Sequence, residues 1–158
     1  MHFDWIEDGV LAASAYPASE RDVRSLHAQG IRAIITLTER PLTSIAKISP
    51  ALLDELSLKT LHVPIDDFGP PTNEQVAEVA AFIDAMRTVE LPALLHCAAG
   101  QGRTGTLLHA YYLSKGWSLQ ETMEWVPTRR SLCEFKSFSS SQQDFLKTFA
   151  ASGRTHYV

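Results

Sequence analysis

One cysteine and one arginine stand at the two ends of a small uncharged stretch, HCAAGQGRTGT at residues 96–106. Cys97 is followed by Ala98, Ala99, Gly100, Gln101 and Gly102, then by Arg103 and Thr104. Small residues let a backbone curl closely around an anion, with successive N–H groups turned inward as a nest. If a helix starts at the end of the stretch, its free N–H groups and dipole add to that attraction. Arg103 brings a planar fork that holds two phosphate oxygens at once. Cys97 then lies at the base of a positive bowl, where the surroundings favour thiolate over thiol. A thiolate there is a nucleophile aimed at whatever the bowl holds. Thr104 is placed to donate a hydrogen bond to the sulfur. With a phosphate monoester in the bowl, attack at phosphorus gives a cysteinyl-phosphate, and Arg103 with the N–H groups stabilises the transferring group.

Such a reaction needs a proton donor for the leaving oxygen, and it must come from another loop. The segment VPIDDFGPP offers Asp66 and Asp67, partly covered by Phe68 and two prolines. Either carboxyl could act first as acid and then as base for the water that frees the enzyme, and spacing alone does not choose between them.

These groups need a frame. PALLHC at 92–97 is a short buried strand running into the loop, and GRTGTLLHAYYLSKG is the helix after it, stopped at Gly116. In open α/β sheets ligands bind at the carboxyl ends of strands. The other elements fit such a sheet. Two short strands flank the turn at Asp8-Gly9, and Ser19 caps a helix over 20–29 that ends at Gly30. IRAIITL at 31–37 is a buried strand, TERPLTSIAK a loop, 50–58 a short helix and LHVPI at 61–65 another strand. If the 61–65 strand lies beside 92–96, the aspartates hang over the same sheet edge as the loop. Thr72 and Gln75 have capping-box spacing ahead of a helix whose apolar face is Val76, Val79, Phe82, Ile83 and Met86. Ser118 and Glu121 repeat that spacing for a helix through Val126, and Phe145, Leu146 and Phe149 mark a last helix. Strands alternating with helices early, and helices clustering late, predict an α/β domain with a mostly parallel central sheet flanked by helices.

The 158 residues suit one domain, taken as 1–158. A net charge of -4 argues against nucleic acid or an anionic membrane as partner, since both need clustered cations. Only Arg129-Arg130 is locally basic, and it reads as a solvated turn. No long apolar run predicts a membrane span, and MHFDWIEDG lacks the basic-then-apolar order of a signal peptide, so the expected location is cytoplasmic. Two cysteines make neither a disulfide framework nor a zinc site, and no metal or cofactor is expected. Cys133 reads as a plain core or loop thiol, with a redox partner for Cys97 as the alternative. Trp117 and Trp125 read as packing.

The stretch HCAAGQGRTG resembles the H-C-x5-R-[ST] signature of the protein tyrosine phosphatase superfamily. His96, Cys97, Gly100, Arg103 and Thr104 stand where that pattern places them. The chain is most similar to the small atypical members of the dual-specificity branch, and TLTER at 36–40, Asp67-Phe68-x-Pro70-Pro71 and the late helices follow in the expected order. The resemblance implies the cysteine-phosphatase fold, with Cys97 as nucleophile, Arg103 and residues 98–102 as phosphate site, and His96 supporting the loop. It selects Asp67 as the acid, thirty residues before Cys97. It also implies that Gln142, near the start of the last helix, positions the hydrolytic water. The Arg-Pro-Gly turn usual before that helix is replaced by Arg129-Arg130-Ser131 and a serine-rich SFSSSQQ.

The expected function is hydrolysis of phosphotyrosine, and of phosphoserine or phosphothreonine, in a protein or peptide partner. The short chain has no segment to deepen the pocket, and the neutral Ala98, Ala99 and Gln101 count against highly charged inositol phosphates. The alternatives are a phosphatase of small molecules, RNA 5′ ends or inositol phosphates, and a phosphate-binding module without catalysis.

Overall fold

A computed structural model describes residues 1–44 and 48–153. Five strands form one sheet: β1 (Asp4–Glu7), β2 (Leu11–Ser14), β3 (Ala33–Thr36), β4 (Lys59–His62) and β5 (Ala93–His96), in the order β1-β2-β5-β3-β4. Only the β1–β2 hairpin is antiparallel, turned at Gly9 with φ +70. β5 lies between β2 and β3, parallel to both, so that His96 stands opposite Ser14 on one side and Thr36 on the other. All residues of β2, β3 and β5 are buried, as expected for apolar runs covered on both faces.

Alternation along those strands builds two cores. Ala12, Ile34 and Leu94 face α1 (Glu20–Ala28) and α2 (Pro50–Glu55) through Val23, Leu26 and Leu52. Ala13, Ile35 and Leu95 join the larger core under α3 (Asn73–Thr88), α4 (Gly102–Ser114), α5 (Leu119–Arg129) and α6 (Ser140–Ala151). The helix starts follow local chemistry. Ser19 accepts from Asp22 N, and full capping boxes close at Thr72/Gln75 and Ser118/Glu121. A third box, Ser139/Gln142, opens α6. Trp117 and Trp125 pack edge to face, with ring centroids 5.2 Å apart, as packing residues. No described helix is long and apolar enough to cross a membrane.

The fourth strand departs from expectation. It spans Lys59–His62 rather than 61–65, and it lies on the far side of β3 from β5. Both flanks of β5 are already occupied, one by β3 and the other by the N-terminal hairpin through β2. Pro64 lacks the N–H that a continuing ladder needs. The chain still runs on beside β3, because Val63 N reaches Thr36 O and Ile65 N reaches Leu37 O. Three helix ends differ as well: α1 and α2 stop short of Gln29 and Leu58, and α5 runs past Val126 to Arg129. In the loop expected at 38–47, Leu42–Ser44 form a short 3-10 turn, and 45–47 lie outside the described residues.

Two histidines are sealed in the larger core's surroundings. His109 on α4 donates from Nδ1 to Gly105 O at 2.7 Å, and its buried Nε2 has no partner among the described residues. Burial pushes its imidazole down to about 4. His96 is held down to about 4 chiefly by burial, and then by the nearby Arg103 charge. Both are therefore neutral in the native state near pH 7. The unfolded chain binds protons below about pH 6.5 that the folded chain refuses, so this contribution to stability is complete above pH 6.5 and is lost as pH falls toward 4. Denaturant unfolding at pH 4.5 is expected to show a loss of roughly 2–3 kcal/mol per histidine relative to pH 7. A His109→Phe variant is expected to retain about half of that pH dependence.

Candidate active site

β5 delivers the chain into the loop 97–101, and α4 begins directly after it at Gly102. The α4 N-cap, Gln101, makes no side-chain capping bond. The first N–H groups of a helix lack intrahelical partners, so this terminus is open to an anion. Cys97 is 3% exposed, at the floor, and Thr104 donates to its sulfur at 3.1 Å. Gly100 has φ +70, and a Cβ there would stand 2.4 Å from Ser14 O. Only glycine lets the loop turn this tightly against β2. Gly105 answers a different need: a Cβ would meet the Phe138 ring at 2.4 Å, so its absence lets α4 seat against that ring.

His96 fixes the loop's entry. Its Nδ1 lies 3.1 Å from Cys97 O, and a carbonyl only accepts, so the proton is on Nδ1. Nε2 must then accept, and Thr36 Oγ1 donates to it at 2.8 Å. Neutral His96 is thus tied to β3 on one side and to the Cys97 carbonyl on the other.

Arg103 is 3% exposed, and its fork is tightly placed. Nη1 donates to Glu39 Oε1 at 2.7 Å and to Ile65 O at 2.9 Å. Nη2 lies 3.5 Å from Asp67 Oδ1. Bonds from its own backbone N–H and from Arg103 hold the Glu39 carboxyl below the usual range. Glu39 also accepts from Asp67 N at 3.3 Å, so one carboxylate touches both the arginine and the aspartate loop. Glu39 was visible beforehand only as part of TLTER, without a role of its own.

Two cavities meet at Arg103. One, of about 330 Å³, holds Cys97, Asp67, Phe68, Ser139 and Gln142 with the loop residues Ala98, Ala99, Gln101 and Gly102. The other, of about 560 Å³, opens toward Tyr16, Thr38, Glu39, Arg40 and Ser44, and shares Asp67, Ala98 and Arg103 with the first. Asp67 therefore lies between the floor and the outer groove, whereas Asp66 lines neither cavity.

Gln142 lines the inner cavity but is 1% exposed, and both ends of its amide are engaged. Oε1 accepts from Ser139 N at 3.0 Å, and Nε2 donates to Gly69 O at 3.1 Å. Each end of the amide thus has one partner, in the start of α6 and in the aspartate loop, and one N–H and one oxygen lone pair are left over.

The reading of Arg129-Arg130 as a solvated turn is corrected. Arg130 is 1% exposed. Its Nε donates to Gly100 O at 2.8 Å and its Nη2 to Ala99 O at 3.3 Å, while Nη1 pairs with Asp4 at 2.9 Å. Arg129 bonds Ile6 O at 2.8 Å and Asp8 at 2.9 Å. The clue was charge complementarity between this pair and the acidic DWIED of the N-terminus, far away in sequence. Cys133 also sits behind the loop, fully buried, with its thiol 3.5 Å from Gly100 O. Burial pushes that thiol up to about 12, so it remains protonated, the state of a plain core thiol.

Residues 1–148 match a family model described as a Swiss Army Knife protein, DSP-PTPase phosphatase domain. Two uncharacterized proteins of Methanocaldococcus jannaschii are 32% identical over 91 residues, 58% of this chain, and 30% identical over 94 residues, 60% of it. The chain spans only 55% and 61% of the length of those two relatives. The mouse phosphatidylglycerophosphatase and protein-tyrosine phosphatase 1 is 28% identical over 156 residues, covering 94% of this chain and 77% of its own. The crystal structure of Tk-PTP in its active form superposes with a TM-score of 0.80 at 29% identity, covering 94% of this chain and 96% of the other. A mostly parallel sheet whose central strand runs into this loop, and a family model that spans all but the last residues, place the chain in the DSP-PTPase family, the small atypical dual-specificity branch of the protein tyrosine phosphatase superfamily.

Proposed function

We propose that this phosphatase hydrolyses phosphotyrosine in proteins, and phosphoserine and phosphothreonine with it, through a cysteinyl-phosphate on Cys97. One observation carries the reading. A nucleophilic sulfur, a buried guanidinium and a carboxylate from a separate loop converge on one cavity of about 330 Å³. In the first step the Cys97 thiolate attacks phosphorus while the bond from phosphorus to the leaving oxygen breaks, and the protonated Asp67 gives its proton to that oxygen. In the second step water attacks phosphorus, its proton passes to the Asp67 carboxylate, and the sulfur leaves. The free N–H groups at the start of α4 and the Arg103 fork hold the equatorial oxygens throughout. The Thr104 hydroxyl, 3.1 Å from the sulfur, stabilises the thiolate both as attacker and as leaving group.

The uncharged residues of the loop between Cys97 and Arg103 support a substrate with one phosphate and an aromatic alcohol. Ala98, Ala99 and Gln101 supply no cation for further phosphates, and the Phe68 ring is 72% exposed beside the opening. A second reading, a phospholipid monoester, rests on the name of the mouse relative, which couples phosphatidylglycerophosphatase with protein-tyrosine phosphatase activity in that protein. Turnover of phosphotyrosine peptide against phosphatidylglycerophosphate in mixed micelles separates the two.

With a chelator present throughout, Cys97→Ser is expected to lower para-nitrophenyl phosphate hydrolysis by roughly 10³-fold or more while still binding tungstate. Turnover retained by that variant would remove Cys97 as nucleophile. Asp67→Ala is expected to cost about 10²-fold or more on phenyl phosphate and distinctly less on the nitrophenyl ester, whose leaving group hardly needs a proton. The same pattern from Asp66→Ala, with Asp67→Ala silent, would reassign the acid.

A further inference from the structure

The turn that carries Asp67 is fastened to the first turn of α6 by three side chains. Ser139 Oγ donates to Phe68 O at 2.6 Å, and Ser141 Oγ donates to the same carbonyl at 3.1 Å. Gln142 Nε2 donates to Gly69 O at 3.1 Å. The capping box orients this set. Ser139 Oγ accepts from Gln142 N, which leaves the hydroxyl proton for Phe68, and Gln142 Oε1 accepts from Ser139 N, which leaves its amide N–H groups for Gly69.

What the fastening holds is a strained backbone. Phe68 has φ +64, the left-handed region that a bulky L-residue rarely occupies unless its surroundings over-determine it. Its ring is 72% exposed, so burial of the side chain does not supply that constraint. The bonds to its carbonyl and to that of Gly69 do, together with the turn bond from Gly69 N to Asp66 O at 2.8 Å. The strain has a use. Phe68 N donates to Asp67 Oδ1 at 3.0 Å, so the direction of the Phe68 peptide sets the direction of the Asp67 carboxyl.

We infer that Ser139, Ser141 and Gln142 are positioning residues for the general acid: they lock Phe68 in its left-handed conformation and so aim Asp67 into the cavity. The inference rests on Asp67 being the acid. It gives the serine-rich SFSSSQQ segment a task, and it gives Gln142 a different one from water positioning.

The test is turnover on a series of aryl phosphates running from nitrophenyl to phenyl, so that the need for a proton rises along the series. The Ser139→Ala/Ser141→Ala variant is expected to lose about tenfold in kcat on phenyl phosphate and less than about twofold on the nitrophenyl ester, part of the full general-acid contribution. In an Asp67→Ala background the same pair is expected to change neither rate. Ser139 also caps α6, so Ser141→Ala alone, which leaves the cap intact, is expected to shift the leaving-group dependence in the same direction, and Ser141→Thr to restore it. An equal loss on both esters, or an undiminished loss in the Asp67→Ala background, would overturn the proposal by making these contacts merely structural. Asp67→Ala with the leaving-group dependence of the unaltered protein would instead overturn the assignment of the acid, and the inference with it.

Discussion

A loop that aims its N–H groups into an anion site must turn its carbonyls back into the protein, and each of those carbonyls then needs a donor there. That constraint shapes the surroundings of residues 97–102. Cys97 O accepts from His96 Nδ1 and Ala98 O from Tyr16 N. Ala99 O and Gly100 O share the Arg130 guanidinium. Gln101 O takes the Gly105 N–H, and Gly102 O the Thr106 hydroxyl. Among the described residues, the N–H groups of 98–101 make no such bond. The carbonyls are satisfied from outside the bowl, and the donors inside it are kept for the ligand.

Each donor on that list has its own supports, and these draw in most of the fold. Arg130 is a buried cation, tolerable because Asp4 and His2 O take up its third nitrogen. That brings the N-terminal hairpin against the end of α5, where Arg129 adds its bonds to Ile6 O and Asp8. The same hairpin places β2 beside β5, so that Ser14 O presses on Gly100 and Tyr16 reaches Ala98. His96 is oriented by Thr36 from the opposite neighbour. A sheet order with β5 between β2 and β3 is therefore what the loop requires, and the 59–62 strand is left to the edge.

The parts legible in the sequence were those set by near neighbours. Small residues between Cys97 and Arg103, a helix beginning at Gly102, and the boxes at Thr72/Gln75 and Ser118/Glu121 all act within a few residues. The parts that escaped depend on distant pairing. Arg130 meets a loop thirty residues earlier and a strand near the first residue, and no periodicity records such a meeting. The edge position of β4 follows from which strands claim the flanks of β5, a choice made by the whole sheet. Gln142 was found by its place near the last helix, but its partner Gly69 lies 73 residues away, and a capping box one turn earlier at Ser139 had already claimed its oxygen.

The residue that joins these levels is Arg103. A guanidinium at 3% exposure needs a counter-charge, and Glu39 supplies it from a carboxylate that is itself 53% exposed. Water screens such a half-open pair, so its value lies less in stability than in geometry. With Nη1 spent on Glu39 and Ile65 O, the fork cannot rotate, and its other edge faces the cavity. There Nη2 stands 3.5 Å from Asp67, too long for a strong bond. An arriving phosphate, carrying more charge and matching the fork's two-pronged geometry, is the better partner for that edge. On this geometry Glu39 is the fixed pivot that leaves the second edge of the Arg103 fork turned toward the cavity.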